Sequence, residues 1–86
     1  MIIRFHRNFE KQYGKLKKSE QNSFKERIEL FLQDEFNPTL NNHPLRGRYK
    51  GYRSINVTGD VRAVYKSQDG DSVLFVAIAI YSNLYR

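Results

Sequence analysis

One feature constrains the fold more than any other: the nine-residue apolar run from Val73 to Tyr81. It is too short to cross a bilayer, which takes ~20 residues as a helix. Asp69-Gly70 precedes it, and that pair is a strong hairpin-turn signal. The segment from Ser72 to Tyr81 therefore reads as a strand returning from a tight turn, and so apolar a strand needs burial. A chain of 86 residues supports one domain, here spanning residues 1–86, and that domain has only a small core in which to bury it.

The rest of the chain supplies the partners of that strand. Val61-Arg62-Ala63-Val64-Tyr65-Lys66 leads into the turn, with Arg62, Val64 and Lys66 alternating against Val61, Ala63 and Tyr65. Thr58-Gly59-Asp60 separates it from a preceding strand, Tyr52 to Val57. In that strand Arg53, Ile55 and Val57 share one face, and Tyr52, Ser54 and Asn56 the other. Upstream, Ile2 to Phe5 reads as a short strand, and Phe9, Tyr13 and Leu16 form the apolar stripe of a first helix. Ser19 is the expected N-cap of a second helix, with Phe24, Ile28, Phe31 and Leu32 on its buried face. Asn37-Pro38 is the expected stop. Short turns make the strands an antiparallel meander, and the helices must cover one of its faces. The expected class is α+β: an N-terminal helical hairpin on one face of a small antiparallel sheet, the other face partly open.

Charge gives the open face a character. Between His43 and Lys66 lie Arg46, Arg48, Lys50, Arg53, Arg62 and Lys66 against a single acid, Asp60, which places +5 of the net +6 in about a quarter of the chain. Such a surplus suits a polyanion, nucleic acid before membrane. The absence of cysteine removes disulfides and thiolate metal sites and fits a reducing cytosol. His6 and His43 are the only histidines and lie far apart, so no metal centre is expected. Nor does any nucleotide-binding glycine pattern or nucleophile motif occur, and no cofactor is expected. The N-terminal residues carry no apolar run of signal-peptide or membrane type, so a membrane role is not expected.

Arginine, lysine, tyrosine, one aspartate and one histidine on a basic surface match metal-independent RNA cleavage. There the 2′-hydroxyl of RNA attacks the adjacent phosphate, and the protein has only to splay the nucleotide, neutralise the phosphate and move protons. Arginine stays protonated and binds two phosphate oxygens, and tyrosine can stack on a base.

Three segments then become recognisable. Asn42-His43-Pro44-Leu45-Arg46-Gly47-Arg48-Tyr49-Lys50-Gly51-Tyr52-Arg53, Val57-Thr58-Gly59-Asp60-Val61-Arg62-Ala63-Val64-Tyr65 and Ser82-Asn83-Leu84-Tyr85 together resemble the RelE/ParE toxin superfamily, particularly its YafQ-like branch. With the two helices, the similarity covers essentially the whole chain. The resemblance implies the toxin of a type II toxin–antitoxin pair, a ribosome-dependent mRNA endonuclease acting at the ribosomal A site in the cytoplasm and inhibited by a cognate antitoxin. It implies catalytic roles for His43, Asp60, Arg62 and Tyr85, and RNA binding by Arg46, Arg48, Lys50, Arg53 and Lys66.

Two positions depart from the YafQ-like pattern. Tyr81 stands where a catalytic histidine is expected, and Asn56 where a second is expected. Histidine, with an ordinary pKa of about 6.5, exchanges protons near neutrality, whereas tyrosine near 10 does not. Weakened cleavage is therefore the expectation, with Tyr81 itself occupying a catalytic position. Two other readings remain open from the sequence: a member that binds antitoxin or RNA without catalysis, and a ParE-type inhibitor of DNA gyrase.

Overall fold

Five strands make one mixed sheet in the order β1-β5-β4-β3-β2, with β1 at Ile2–Phe5, β2 at His43–Pro44, β3 at Arg53–Asn56, β4 at Val61–Gln68 and β5 at Ser72–Ile80. They belong to a computed structural model that describes residues 1–84. Strands β2 to β5 are the expected antiparallel meander. Strand β1 extends it on the far side of β5 in parallel, with Ile2 opposite Ser72 and Phe5 opposite Phe75. The apolar strand is thus flanked on both edges, which satisfies its backbone groups as well as its side chains. Gly70 takes a φ of 69° in the turn, a region open to glycine and costly for other residues.

Two helices, α1 (Arg7–Gly14) and α2 (Lys18–Gln33), cover one face. Helix α2 starts two residues earlier than the sequence suggests. Lys17 is its N-cap and Ser19 lies in its first turn, because the Glu20 carboxylate reaches back to accept the Lys17 N–H at 2.9 Å. It also stops sooner, at Gln33; Asn37 instead opens a 3₁₀ turn over Pro38–Leu40, its side chain accepting the Thr39 N–H at 2.9 Å. Phe24 and Phe31 are buried as expected, but Leu32 is 50% exposed. One residue past Phe31, it lies ~100° further round the helix, beyond the buried stripe.

The core between helices and sheet is largely aromatic. Phe31 is fully buried, edge-on to Tyr65 at 5.0 Å between centroids and to Phe75 at 5.5 Å. Phe9 and Phe24 meet at 5.2 Å, and Phe24 meets Phe75 at 5.7 Å. As alternation predicts, Val61, Ala63 and Tyr65 enter this core while Val64 joins a second, smaller cluster on the other face with Ala77 and Leu84.

Alternation fails in β5. Val64 pairs with Ala77 but Tyr65 with Phe75, so Val76 is an extra residue, a bulge. Helix α1 satisfies the backbone there: Asn8 Nδ2 donates to the Val76 carbonyl at 3.0 Å, and the Ile78 N–H donates to Gln12 Oε1 at 3.0 Å. Before the bulge Val73 and Phe75 face the helices. After it Ile78 does so, and Ala77 and Ala79 pack on the open side.

At the other edge of the covered face a polar network closes the core. The Tyr65 hydroxyl donates to Glu35 Oε2 at 2.6 Å and accepts from Asn42 Nδ2 at 2.7 Å, while Arg53 Nε donates to Asn42 Oδ1 at 2.7 Å. Burial first, and then the bond to Glu35, push the Tyr65 pKa well above 10. Above pH 10 the unfolded chain has lost this proton and the folded chain still holds it, so this stabilisation is complete below pH 10 and declines as pH rises. In urea titrations, the stability difference between parent and Tyr65→Phe should shrink above pH 10 by up to ~1.4 kcal/mol per pH unit. A difference constant from pH 8 to 11 would show that Tyr65 ionises alike in both states.

Candidate functional site

The uncovered face of the sheet is organised in cross-strand rows, since directly paired residues share a face. One row runs Asn56–Arg62–Ala79, the next His43–Ser54–Val64–Ala77, and a third joins Lys66 to Leu74 with Tyr52 alongside. Helix α3 (Tyr81–Leu84) follows β5 directly and tucks Leu84 against Val64 and Ala77. This brings Tyr81 beside the first row: its N–H donates to the Asp60 carbonyl at 2.8 Å, and its exposed ring lies 5.7 Å from the Arg62 guanidinium carbon.

Arg62 is half-buried and does more than present charge. Its Nη1 reaches the carbonyls of Thr58 and Gly59, each at 3.0 Å, and that of Val61 at 3.3 Å, gripping the turn that carries Asp60. The same turn is held from within by Thr58 Oγ1, which accepts the N–H groups of Asp60 at 3.2 Å and Val61 at 3.0 Å. No ion pair between Arg62 and Asp60 occurs among the described residues, where Met1 to Asp71 is the one salt bridge. Among the described residues no carboxylate pairs with the guanidinium where it meets the open face.

His43 enters on β2, opposite Ser54. Its Nδ1 lies 2.8 Å from the Asn41 carbonyl, which can only accept, so Nδ1 carries the proton and neutral His43 offers a lone pair at Nε2. Asn41 holds that carbonyl in place from a left-handed conformation (φ 45°) that asparagine tolerates. Between His43 and Arg62, the buried Ser54 Oγ and Asn56 Oδ1 have no hydrogen-bond partner.

The remaining residues singled out in the sequence divide. Lys66 lies on the open face with its ammonium 5.6 Å from the Tyr52 ring centroid, and Arg48 approaches it from the turn Gly47–Tyr49, its Nη2 donating to the Leu84 carbonyl at 3.2 Å. Arg46 and Lys50 flank that turn, both exposed. Arg53 is not with them. It sits on the helix-covered side with Ile55, bonded to Asn42 and 5.1 Å over the Phe36 ring. Strand alternation had already grouped Arg53 with Ile55 and Val57, and that signal outweighs its position in a basic run. Tyr85 lies outside the described residues. The sequence analysis missed the part played by Tyr49 and Tyr52, whose rings meet edge-on at 5.9 Å beside Arg48 and Lys66. The pattern Tyr49-Lys50-Gly51-Tyr52 carried the signal.

Among the described residues no group of three or more histidine, cysteine, aspartate or glutamate side chains could hold a metal ion, and no helix is long and apolar enough to cross a membrane.

Comparison with known proteins places this arrangement. The model of the family described as "Bacterial toxin of type II toxin-antitoxin system, YafQ" matches residues 1–86. The chain resembles the crystal structure of YafQ from E. coli strain BL21(DE3) at 24% identity, covering 98% of this chain and 97% of that one, with a TM-score of 0.82. It resembles YafQ of the E. coli DinJ–YafQ toxin–antitoxin complex at 24% identity, covering 98% and 96%, with a TM-score of 0.78. A YoeB/ParE toxin from Agrobacterium tumefaciens shares the fold at 19% identity, covering 94% and 99%, with a TM-score of 0.77. No curated protein sequence gives a significant match. Matched over its whole length by the family model, the chain belongs to the YafQ family of bacterial toxins from type II toxin–antitoxin systems.

Proposed function

We propose that this toxin is a metal-independent endoribonuclease that cleaves mRNA on the ribosome, with the open face of the sheet as its active site. The observation that carries the reading is the Arg62 guanidinium, which has no ion pair among the described residues, one row along and two strands across from a histidine whose Nε2 has no partner among them, and beside the exposed Tyr81. In this scheme His43 Nε2, or the Asp60 carboxylate, takes the proton from the 2′-hydroxyl as the oxygen attacks phosphorus. Arg62 stabilises the extra negative charge of the phosphorane. The 5′-oxygen leaves with a proton, and the products are a cyclic 2′,3′-phosphate and a 5′-hydroxyl. Tyr81 occupies the place for the donor of that proton, and Tyr85 would orient the base.

The experiment is cleavage of mRNA on programmed ribosomes by the parent and by Tyr81→His, with folding followed in parallel. Both should cleave, and the histidine variant should be at least tenfold faster, since a matched proton carrier contributes ~10²–10⁴-fold. Absence of cleavage by either protein would overturn the nuclease reading. Equal rates would remove position 81 from the proton transfer. Robust parent activity that vanished in Tyr81→Phe would give the role to the tyrosine hydroxyl.

The same reading includes a cognate antitoxin as partner, in keeping with the DinJ–YafQ complexes among its structural relatives. Its acidic residues would meet Arg46, Arg48 or Lys50 and cover the open face. Adding the antitoxin to the cleavage reaction should then stop it. A complex that left those cations accessible and cleavage intact would rule out this mode of inhibition.

A further inference from the structure

Beyond the rows of Arg62 and His43, the open face continues into a cleft of about 460 Å³ that the chemistry above does not use. Its walls are the edge-on pair Tyr49 and Tyr52 on one side and His6 and Asn8 on the other. Leu74, Val76 and Ala77 form an apolar floor. Arg48 and Lys66 stand at the aromatic wall, 5.3 Å from the Tyr49 centroid and 5.6 Å from that of Tyr52. None of the described residues lining the cleft carries a carboxylate, and two cations face it.

The two histidines present opposite chemistry. His43 has its proton on Nδ1, whereas His6 Nδ1 accepts the Asn8 N–H at 3.0 Å, which puts the proton of neutral His6 on Nε2. His43 therefore offers a lone pair and His6 offers a donor. The sheet order sets β1, which leads into His6, at one edge and β2, which carries His43, at the other. The strands that lead to the two histidines are four spacings apart at ~4.8 Å each, and His6 lines the cleft whereas His43 does not. His6 belongs to the cleft.

The geometry points to a second nucleotide subsite: the cleft takes one unpaired RNA nucleotide, its base over the apolar floor against Tyr52 and its phosphate held by Lys66 and Arg48, with His6 Nε2–H as a further donor. This inference rests on the reading of the open face as an RNA-cleavage site. The volume suits one nucleotide, since small-ligand sites span roughly 300–1,000 Å³. Aromatic faces and cations tracking a backbone are how proteins hold single strands. Lys66 and Arg62 are four residues apart on one face of β4, ~13 Å along the strand. An extended RNA strand covers that distance in a couple of nucleotides. The cleft would thus hold a neighbour of the scissile nucleotide and fix its register at Arg62. That neighbour can come from the message or from ribosomal RNA, which share this chemistry.

The test uses the full chain and two non-cleavable 2′-O-methyl oligoribonucleotides, a dinucleotide and a pentanucleotide. The parent should bind the pentanucleotide more tightly. Tyr52→Leu and Lys66→Gln should each weaken that binding about tenfold, on the scale of one stacked base, with dinucleotide affinity unchanged. Lys66→Gln should also make the salt dependence shallower by ~0.7 in the logarithmic slope. Because Tyr52 also packs on the smaller cluster, Lys66→Gln carries the test alone if Tyr52→Leu does not fold. Variants that bind the pentanucleotide as the parent does would overturn the subsite and leave the nuclease reading standing. A parent that bound neither oligonucleotide and cleaved no message would remove both.

Programmed ribosomes then separate the two sources. Messages made abasic at each position flanking the cleaved bond should be cut more slowly if the occupant is mRNA. Insensitivity to the missing base, with Tyr52→Leu still slow, would assign the cleft to ribosomal RNA. Parent rates for Tyr52→Leu and Lys66→Gln on every message would overturn the subsite.

Discussion

Arg62→Ala should lower ribosome-dependent cleavage by ~10²–10³-fold, the usual result of removing one preorganised donor from a developing negative charge. Arg62 is the cation in the row between Asn56 and Ala79, with no carboxylate paired to it among the described residues and Tyr81 against it. The substitution also releases three carbonyls of the turn around Asp60, so part of the loss would come through that turn. Arg62→Lys separates the two contributions. A lysine keeps the charge but not the fork, so it should restore part of the rate while leaving the turn unclamped. The checks are single-turnover cleavage and thermal unfolding of all three proteins. An alanine variant that cleaved at the parent rate would exclude Arg62 from the chemistry.

The second large effect is on stability. Phe31→Ala removes a fully buried ring that touches both Tyr65 and Phe75, and should cost ~3–5 kcal/mol. Domains are stable by only ~5–15 kcal/mol, and one this small sits toward the lower end, so much of the population should unfold under mild denaturant. Leu32→Ala, one residue along but half exposed, should change stability by no more than ~0.5 kcal/mol. Urea midpoints of the two variants would check this directly. Equal losses at the two positions would contradict the packing of α2 described here.

Much of this was legible because it rests on local signals. Asp69-Gly70 marked the hairpin, and strict alternation in β4 separated Arg62, Val64 and Lys66 from Val61, Ala63 and Tyr65. The family resemblance could name His43, Asp60 and Arg62 as candidates because the turn and strand motifs carrying them are continuous in sequence. What was not legible depends on non-local partners. The pairing of β1 with β5 joins residues some 70 positions apart, and nothing in Ile2 to Phe5 announces a parallel neighbour. The cleft wall of His6 and Asn8 was invisible for the same reason. The end of α2 was misplaced because a proline signal marks where a helix cannot continue, whereas Asp34 had already left it. In β5, an unbroken apolar run conceals the bulge: with both faces hydrophobic, period two leaves no trace of a slipped step.

That slipped step makes Val76 an arithmetic of odd and even. Counted from Val73 without the bulge, Tyr81 would fall on the same side as Phe75, under the helices, and Ala77 would follow it there. The extra residue reverses the count, so the last part of the strand delivers Tyr81 to the face that holds Arg62. The reversal is maintained by Asn8 and Gln12, two side chains one turn apart on α1. Helix α1 is therefore more than a lid on the core: two hydrogen bonds tie it to the bulge that sends helix α3 to the open side of the sheet. A one-residue deletion at Val76 would consequently turn Tyr81 toward the helix-covered side while leaving Val73 and Phe75 where they are. Val76 thus determines which surface of the molecule receives helix α3.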